Sequence, residues 1–184
     1  MSQTTKRALA ASLKKLLEKT TLDKITVKDI VEDCEVNRQT FYYHFQDVYA
    51  LLEWIFTTEA DQVIASNRTY ETWQQGFLQV FHYVQQNKSL VVNTYHSLGR
   101  EYLERYLYSV VYTLLINVVN EQAAGMLVAD EDKEFIANFY NYAFVGLTLE
   151  WIRKGMKDNP EEIMDKLTRL ITGNIHAALL RYKL

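Results

Sequence analysis

The chain has 184 residues, with 20 Lys and Arg against 23 Asp and Glu for a formal net charge of −3, and 48% of it is hydrophobic. One proline, six glycines, one cysteine and no apolar run long enough to span a bilayer exclude a collagenous, disulfide-stapled or membrane-spanning protein. The acidic balance also argues against a nonspecific nucleic-acid coat, and with nothing resembling a signal peptide the expectation is a helical, cytoplasmic protein.

Residues 5–19 place Leu9, Leu13, Leu16 and Leu17 on one face, which predicts a first helix, and 20–24 read as a loop. Thr26 with Asp29 three residues on is a capping box, and Ile25 with Ile30 is a hydrophobic staple, so a second helix starts there. Its apolar stripe is Val27, Ile30, Val31 and Cys34. Asn37 caps a third helix, with Val36 and Phe41 as the next staple and Phe41 and Phe45 facing inward. Two short capped helices around a three-residue turn are the plan of a helix-turn-helix.

Outward on the third helix stand Arg38, Gln39, Thr40, Tyr42, Tyr43 and His44. Two exposed tyrosines beside Arg, Gln, Thr and His suit a nucleic-acid groove, since these types hydrogen-bond to phosphates and base edges. A structural helical hairpin with an aromatic patch is the plainer alternative. Residues 1–49 carry eight basic and seven acidic side chains, the remainder twelve and sixteen. Affinity should therefore rest on a few placed contacts and two copies of the chain, with Lys6, Arg7 and Lys28 as candidates for phosphate positioning. Cys34 stands on the inward stripe without the neighbouring cations that activate a thiol, which favours a core role.

A long helix is expected over 47–66, joining a helix-turn-helix domain (1–46) to a second helical domain (47–184). Helix breaks are expected at 66–69, 87–88, 98–99, 125–130 and 158–160, and no segment shows strand alternation. The last two helices, 132–157 and 160–182, carry wide apolar stripes, and Pro160 with Glu161 and Glu162 marks a helix start. Gly146 and Gly173 fall inside these helices, where close helix approach would explain them.

The stretch IVEDCEVNRQTFYYHFQDVYALL, from Ile30 to Leu52, resembles the DNA-binding signature of the TetR/AcrR family of bacterial transcriptional regulators, most specifically at Tyr42-Tyr43-His44-Phe45. The resemblance implies an all-α fold: an N-terminal three-helix DNA-binding domain and a C-terminal ligand-binding and dimerisation domain. It implies double-stranded operator DNA as partner, contacted by Thr26, Lys28, Arg38, Gln39, Thr40, Tyr42, Tyr43 and His44. Two positions depart from the family pattern. Glu35 stands where the turn usually has Gly, and Val48 where many members carry a phosphate-binding Lys.

The run from Phe139 to Leu147, with Trp151 and Gly155, resembles a C-terminal subtype that includes dihydroxyacetone kinase regulator-like proteins. In such proteins the last two helices build a homodimer, which here would use Tyr142, Gly146, Leu167, Leu170, Ile171 and Ala178. Family members commonly release DNA when a small molecule enters the second domain. Phe81, Tyr83, Tyr95, Tyr108, Tyr112, Asn138 and Asn141 could line such an effector pocket, and at helical spacing the same aromatics could be core.

No metal-ligand spacing, phosphate loop or assembled catalytic set is present, since His82 and His96 are fourteen apart with no partner at i+4, so neither cofactor nor metal nor catalysis is expected. The expected function is a sequence-specific repressor released from a near-palindromic operator by a small-molecule effector. The alternative is a co-regulator of the same fold acting mainly through a protein partner.

Overall fold

The computed structural model describes residues 2–63 and 69–183, and among them every regular element is helical. In chain order these are α1 (Ser2–Leu17), a single 3₁₀ turn (Leu22–Lys24), α2 (Val27–Asp33), α3 (Arg38–His44), α4 (Val48–Val63) and α5 (Trp73–Gln86). Then follow α6 (Lys88–Tyr95), α7 (Arg100–Gln122), α8 (Asp130–Arg153), α9 (Pro160–Ile171) and α10 (Asn174–Arg181). The expected breaks at 87–88, 98–99, 125–130 and 158–160 all fall between consecutive helices. Residues 66–68 of the remaining break, and the part of the 47–66 helix beyond 63, lie outside the described residues.

The chain forms two compact units, Met1–Glu59 with Asn87–Tyr106 and Ala60–Gln86 with Leu107–Leu184. In the first, Leu9, Leu13 and Leu17 of α1, Ile30 of α2, Phe41 of α3 and Leu51, Leu52 and Phe56 of α4 are buried. A three-helix head alone is short of apolar area, and residues 87–106 add Leu90, Val91 and Leu103 to the same core. Asn93 Nδ2 donates to the Leu17 carbonyl at 2.6 Å, satisfying one of the orphan acceptors that end α1. The packing boundary therefore does not fall at residue 47, because the first three turns of α4 share a core with α1, α2 and α3.

The second unit is organised by aromatic rings. Phe77 meets Phe144 at 4.0 Å between centroids, and Phe81 meets Trp151 at 5.0 Å in an edge-to-face pair. Such pairs add about 0.5–1.5 kcal/mol each beyond their area burial. α9 packs on α5, and α10 packs on both α8 and α9.

Two glycine expectations change here. The single helix expected over 160–182 is two helices, because Gly173 takes φ +80 between them, a left-handed conformation that ends α9. Gly146 does lie within α8, but a Cβ built on it would meet nothing within 4 Å, so its own chain imposes no close approach there.

Candidate nucleic-acid interface

The helix-turn-helix is built by local hydrogen bonds. Asp29 Oδ2 accepts from the Thr26 backbone N–H at 2.8 Å and from the Thr26 hydroxyl at 2.6 Å, while Thr26 Oγ1 accepts from Asp29 N–H at 3.3 Å. This reciprocal box fixes the start of α2, and the Thr26 hydroxyl in turn holds the Asp29 carboxyl below its ordinary value. α2 ends in a left-handed residue: Glu35 has φ 55, and Val36 N–H reaches back to the Val31 carbonyl at 3.0 Å. That six-to-one bond is a Schellman closure, made here without the usual glycine.

Asn37 Oδ1 then accepts from Thr40 N–H at 2.7 Å and from the Thr40 hydroxyl at 2.9 Å, capping α3. The Thr40 hydroxyl is thereby committed, and its methyl remains for apolar contact. Phe41 is fully buried and Phe45 nearly so, which anchors the inner side of α3. On the outer side Arg38 and Gln39 are exposed, Tyr42 is 57% exposed and Tyr43 82% exposed. His44 is half-buried, its ring edge-on to Tyr43 at 4.9 Å.

Six of the eight predicted contact residues thus share one helix, α3, all off the inward side of Phe41; Arg38, Gln39, Tyr42 and Tyr43 are exposed, and Thr40 and His44 half-buried. The other two stand on α2 and its cap. Thr26 is exposed with its hydroxyl engaged by Asp29, and Lys28 pairs with Glu32 at 3.7 Å across two exposed side chains. An exposed pair of that kind is worth only about 0–1 kcal/mol, so Glu32 holds Lys28 weakly. Cys34 is half-buried at the end of α2, its thiol donating to the Ala8 carbonyl at 3.4 Å, and burial pushes that thiol's pKa up.

The seven effector-pocket candidates are distributed over both units. Tyr95 belongs to the first unit and the other six to the second. Phe81 is fully buried against Phe77 and Trp151, a core position. Tyr108 lies edge-on to Tyr142 at 5.7 Å, and burial raises the Tyr112 phenol's pKa. Tyr83 and Asn138 are half-buried, while Asn141 is buried and donates through Nδ2 to the Tyr108 carbonyl at 3.2 Å. None of the seven lines either of two surface cavities, one bounded by Phe135, Phe139, Tyr140 and Arg181, the other by Leu147, Trp151, Ile163 and Lys166.

The dimerisation candidates divide. Tyr142 and Leu170 are exposed by 63% and 68%, Gly146 is exposed and Ala178 half-exposed, whereas Leu167 and Ile171 are buried inside their own unit. A helix stripe that serves its own core is not free for a second copy. Phe135 and Phe139, on the wide apolar stripe expected for this helix but not among the named dimerisation candidates, are exposed and continue the stripe of Tyr142 and Gly146 at helical spacing. Among the described residues no group of His, Cys, Asp and Glu is placed to hold a metal ion, and no helix is long and apolar enough to cross a membrane.

A capped helix-turn-helix presenting an aromatic and basic outer face, followed by a second helical unit, defines the class of a DNA-binding regulator. The family description "Bacterial regulatory proteins, tetR family" matches residues 8–55, and "Transcriptional regulator C-terminal region" matches residues 71–173. The chain belongs to the TetR family of transcriptional regulators and is not an enzyme.

It is 26% identical over 173 residues to the HTH-type dhaKLM operon transcriptional activator DhaS of Lactococcus lactis subsp. lactis, covering 93% of this chain and 90% of that one. The solved structure of a dihydroxyacetone kinase operon activator DhaS superposes with a TM-score of 0.73 at 25% identity, covering 98% of each chain. Native NalD of Pseudomonas aeruginosa, the secondary repressor of the MexAB-OprM multidrug efflux pump, shares the fold at a TM-score of 0.65 and 14% identity, covering 100% of this chain and 98% of that one.

Proposed function

We propose that this regulator works as a homodimer that reads a near-palindromic operator with Arg38, Gln39, the Thr40 methyl, Tyr42, Tyr43 and His44. The observation that carries the reading is the exposure of Tyr42 and Tyr43 on a helix whose opposite side is locked into the core by Phe41. Arg38 would favour guanine and Gln39 adenine in direct readout. One such helix reads few base pairs, so two-fold symmetry across half-sites about one helical turn apart is needed for a specific site.

The exposed stripe of Phe135, Phe139 and Tyr142 on α8, with Leu170 on α9, supports a second copy as the dimer partner. A small-molecule effector acting within the second unit has support from Asn141, whose buried Oδ1 has no hydrogen-bond donor among the described residues. Leaving a buried acceptor unpaired costs about 1–3 kcal/mol, which a ligand donor would recover. The site of action would be the cytoplasm, where the operator is.

The sign of control depends on where the operator lies relative to the promoter, since the same head can block a promoter or sit upstream of it. Repression is the expectation from sequence, and activation has the support of the Lactococcus relative's described role. A promoter–reporter fusion read with and without the protein separates the two.

The test of the reading is titration of the protein against its own upstream intergenic DNA across salt, with Tyr43→Ala beside it. Tight binding to one near-palindromic site, lost in the variant, is the expected result. Weak binding that follows salt alone and ignores the substitution overturns it in favour of the partner-dependent co-regulator.

A further inference from the structure

Three lysines of the first unit face carboxylates in ion pairs. Lys14 pairs with Glu59, Lys15 with Asp33 and Lys28 with Glu32. Lys6 does not. Among the described residues no carboxylate pairs with it, and its ammonium stands 5.6 Å from the centroid of Phe45 and 5.8 Å from that of Trp54. These two rings meet edge to face at 5.9 Å.

Phe45 is the residue that ends α3, and its ring also lies 6.3 Å from that of His44, which in turn meets Tyr43 at 4.9 Å. A continuous row therefore runs from Lys6 through Phe45 and His44 to the most exposed tyrosine of the head. Ring faces attract a cation without neutralising it, so they hold the ammonium in place while its full charge stays available. A carboxylate partner would have cancelled that charge.

We infer that Lys6 is a DNA phosphate anchor, an ammonium pre-positioned by Phe45 and Trp54 at the C-terminal end of the recognition helix. This rests on the DNA-reading role proposed above. A helix lying in a major groove about 12 Å wide has a phosphate backbone on each flank, and a fixed cation at the helix end meets one of them. Side-chain ordering is completed on folding, so little rotamer entropy remains to be lost when the phosphate arrives. Lys6 carries no sequence information in this role and sets the register in which Arg38 and Gln39 read theirs.

The experiment measures the salt dependence of affinity for a short double-stranded DNA of arbitrary sequence, using the full chain, Lys6→Met and Lys6→Arg, with thermal melts of each. Met retains contact with both rings and removes only the charge. For Lys6→Met the slope of log K against log salt falls by about 0.9 for each protomer bound, while Lys6→Arg keeps the parent slope. A Lys6→Met slope equal to the parent's, whether affinity drops uniformly or not at all, makes Lys6 a packing residue and overturns the inference. A parent chain with no salt-dependent binding is a different result, and it removes the DNA-reading role itself.

Discussion

Leu98 donates its backbone N–H to Asp23 Oδ1 at 3.1 Å, a bond between residues 75 apart in sequence. The same carboxylate oxygen accepts from the Tyr49 hydroxyl at 3.3 Å, and Tyr49 stacks on Tyr102 at 5.7 Å. Burial first, and the Asp23 carboxylate second, push the Tyr49 phenol's pKa up. Next to Leu98 there is no room for a side chain at Gly99: a Cβ there would stand 2.5 Å from Leu22 Cδ2 and 3.3 Å from Leu52 Cδ2. Asp23 and Gly99 thus fasten residues 87–106 to the helix-turn-helix within one unit.

This fastening gives the first prediction. Gly99→Ala overpacks a site walled by two buried leucines and lowers stability by about 1–3 kcal/mol. Asp23→Ala removes two hydrogen bonds at an exposed carboxylate and costs about 1 kcal/mol. Thermal melts of both variants check the order, and an Asp23→Ala loss larger than that of Gly99→Ala would contradict it.

At the turn of the reading head, Glu35 holds φ 55, where a Cβ is unfavourable. Glu35→Gly relieves that strain, partly offset by the greater freedom of glycine in the unfolded chain, for a net gain of roughly 0.5–1 kcal/mol. The midpoint of urea unfolding should rise. A fall would show that the Glu35 side chain contributes more than its backbone costs.

Gly146 is a mid-helix glycine with open space around it, at a cost of about 1 kcal/mol relative to alanine. If two copies meet along α8, that cost is offset only in the dimer. Gly146→Leu should leave the far-ultraviolet circular dichroism intact and move the sedimentation coefficient toward the monomer. Unchanged association with raised stability would place the interface elsewhere.

The capping box should titrate. Asp29 has its folded pKa lowered from 3.8 chiefly by the Thr26 hydroxyl, then by the Thr26 backbone N–H. A depressed folded pKa means that the carboxylate's contribution is fully present above the unfolded value and is lost as pH falls through the lower, folded one. Below about 3.8 the parent should approach the stability of Asp29→Asn, and melts of the two proteins that stay parallel through that range would refute the assignment.

Much of the head was legible because its determinants are local. Thr26 with Asp29, Asn37 with Thr40, and the inward Phe41 are separated by three or four residues, so spacing alone predicts their bonds and faces. The second unit was less legible for the same reason in reverse. Leu167 and Leu170 read alike on a helical stripe, yet one is 6% exposed and the other 68%, and only the neighbour packed on α9 separates them. Phe81 likewise has the residue type of a pocket wall and the burial of a core.

Sequence alone determined the helical class, the helix breaks at 87–88, 98–99, 125–130 and 158–160, the capped third helix and the family, since each follows from periodicity, capping chemistry or a contiguous motif. Tertiary structure decided the rest. It placed residues 87–106 in the core of the head, ended α9 at Gly173, and gave Lys6 two rings where Lys14, Lys15 and Lys28 have carboxylates. Each of these depends on which distant residues meet, and burial and charge pairing are properties of that meeting, not of any residue type in isolation.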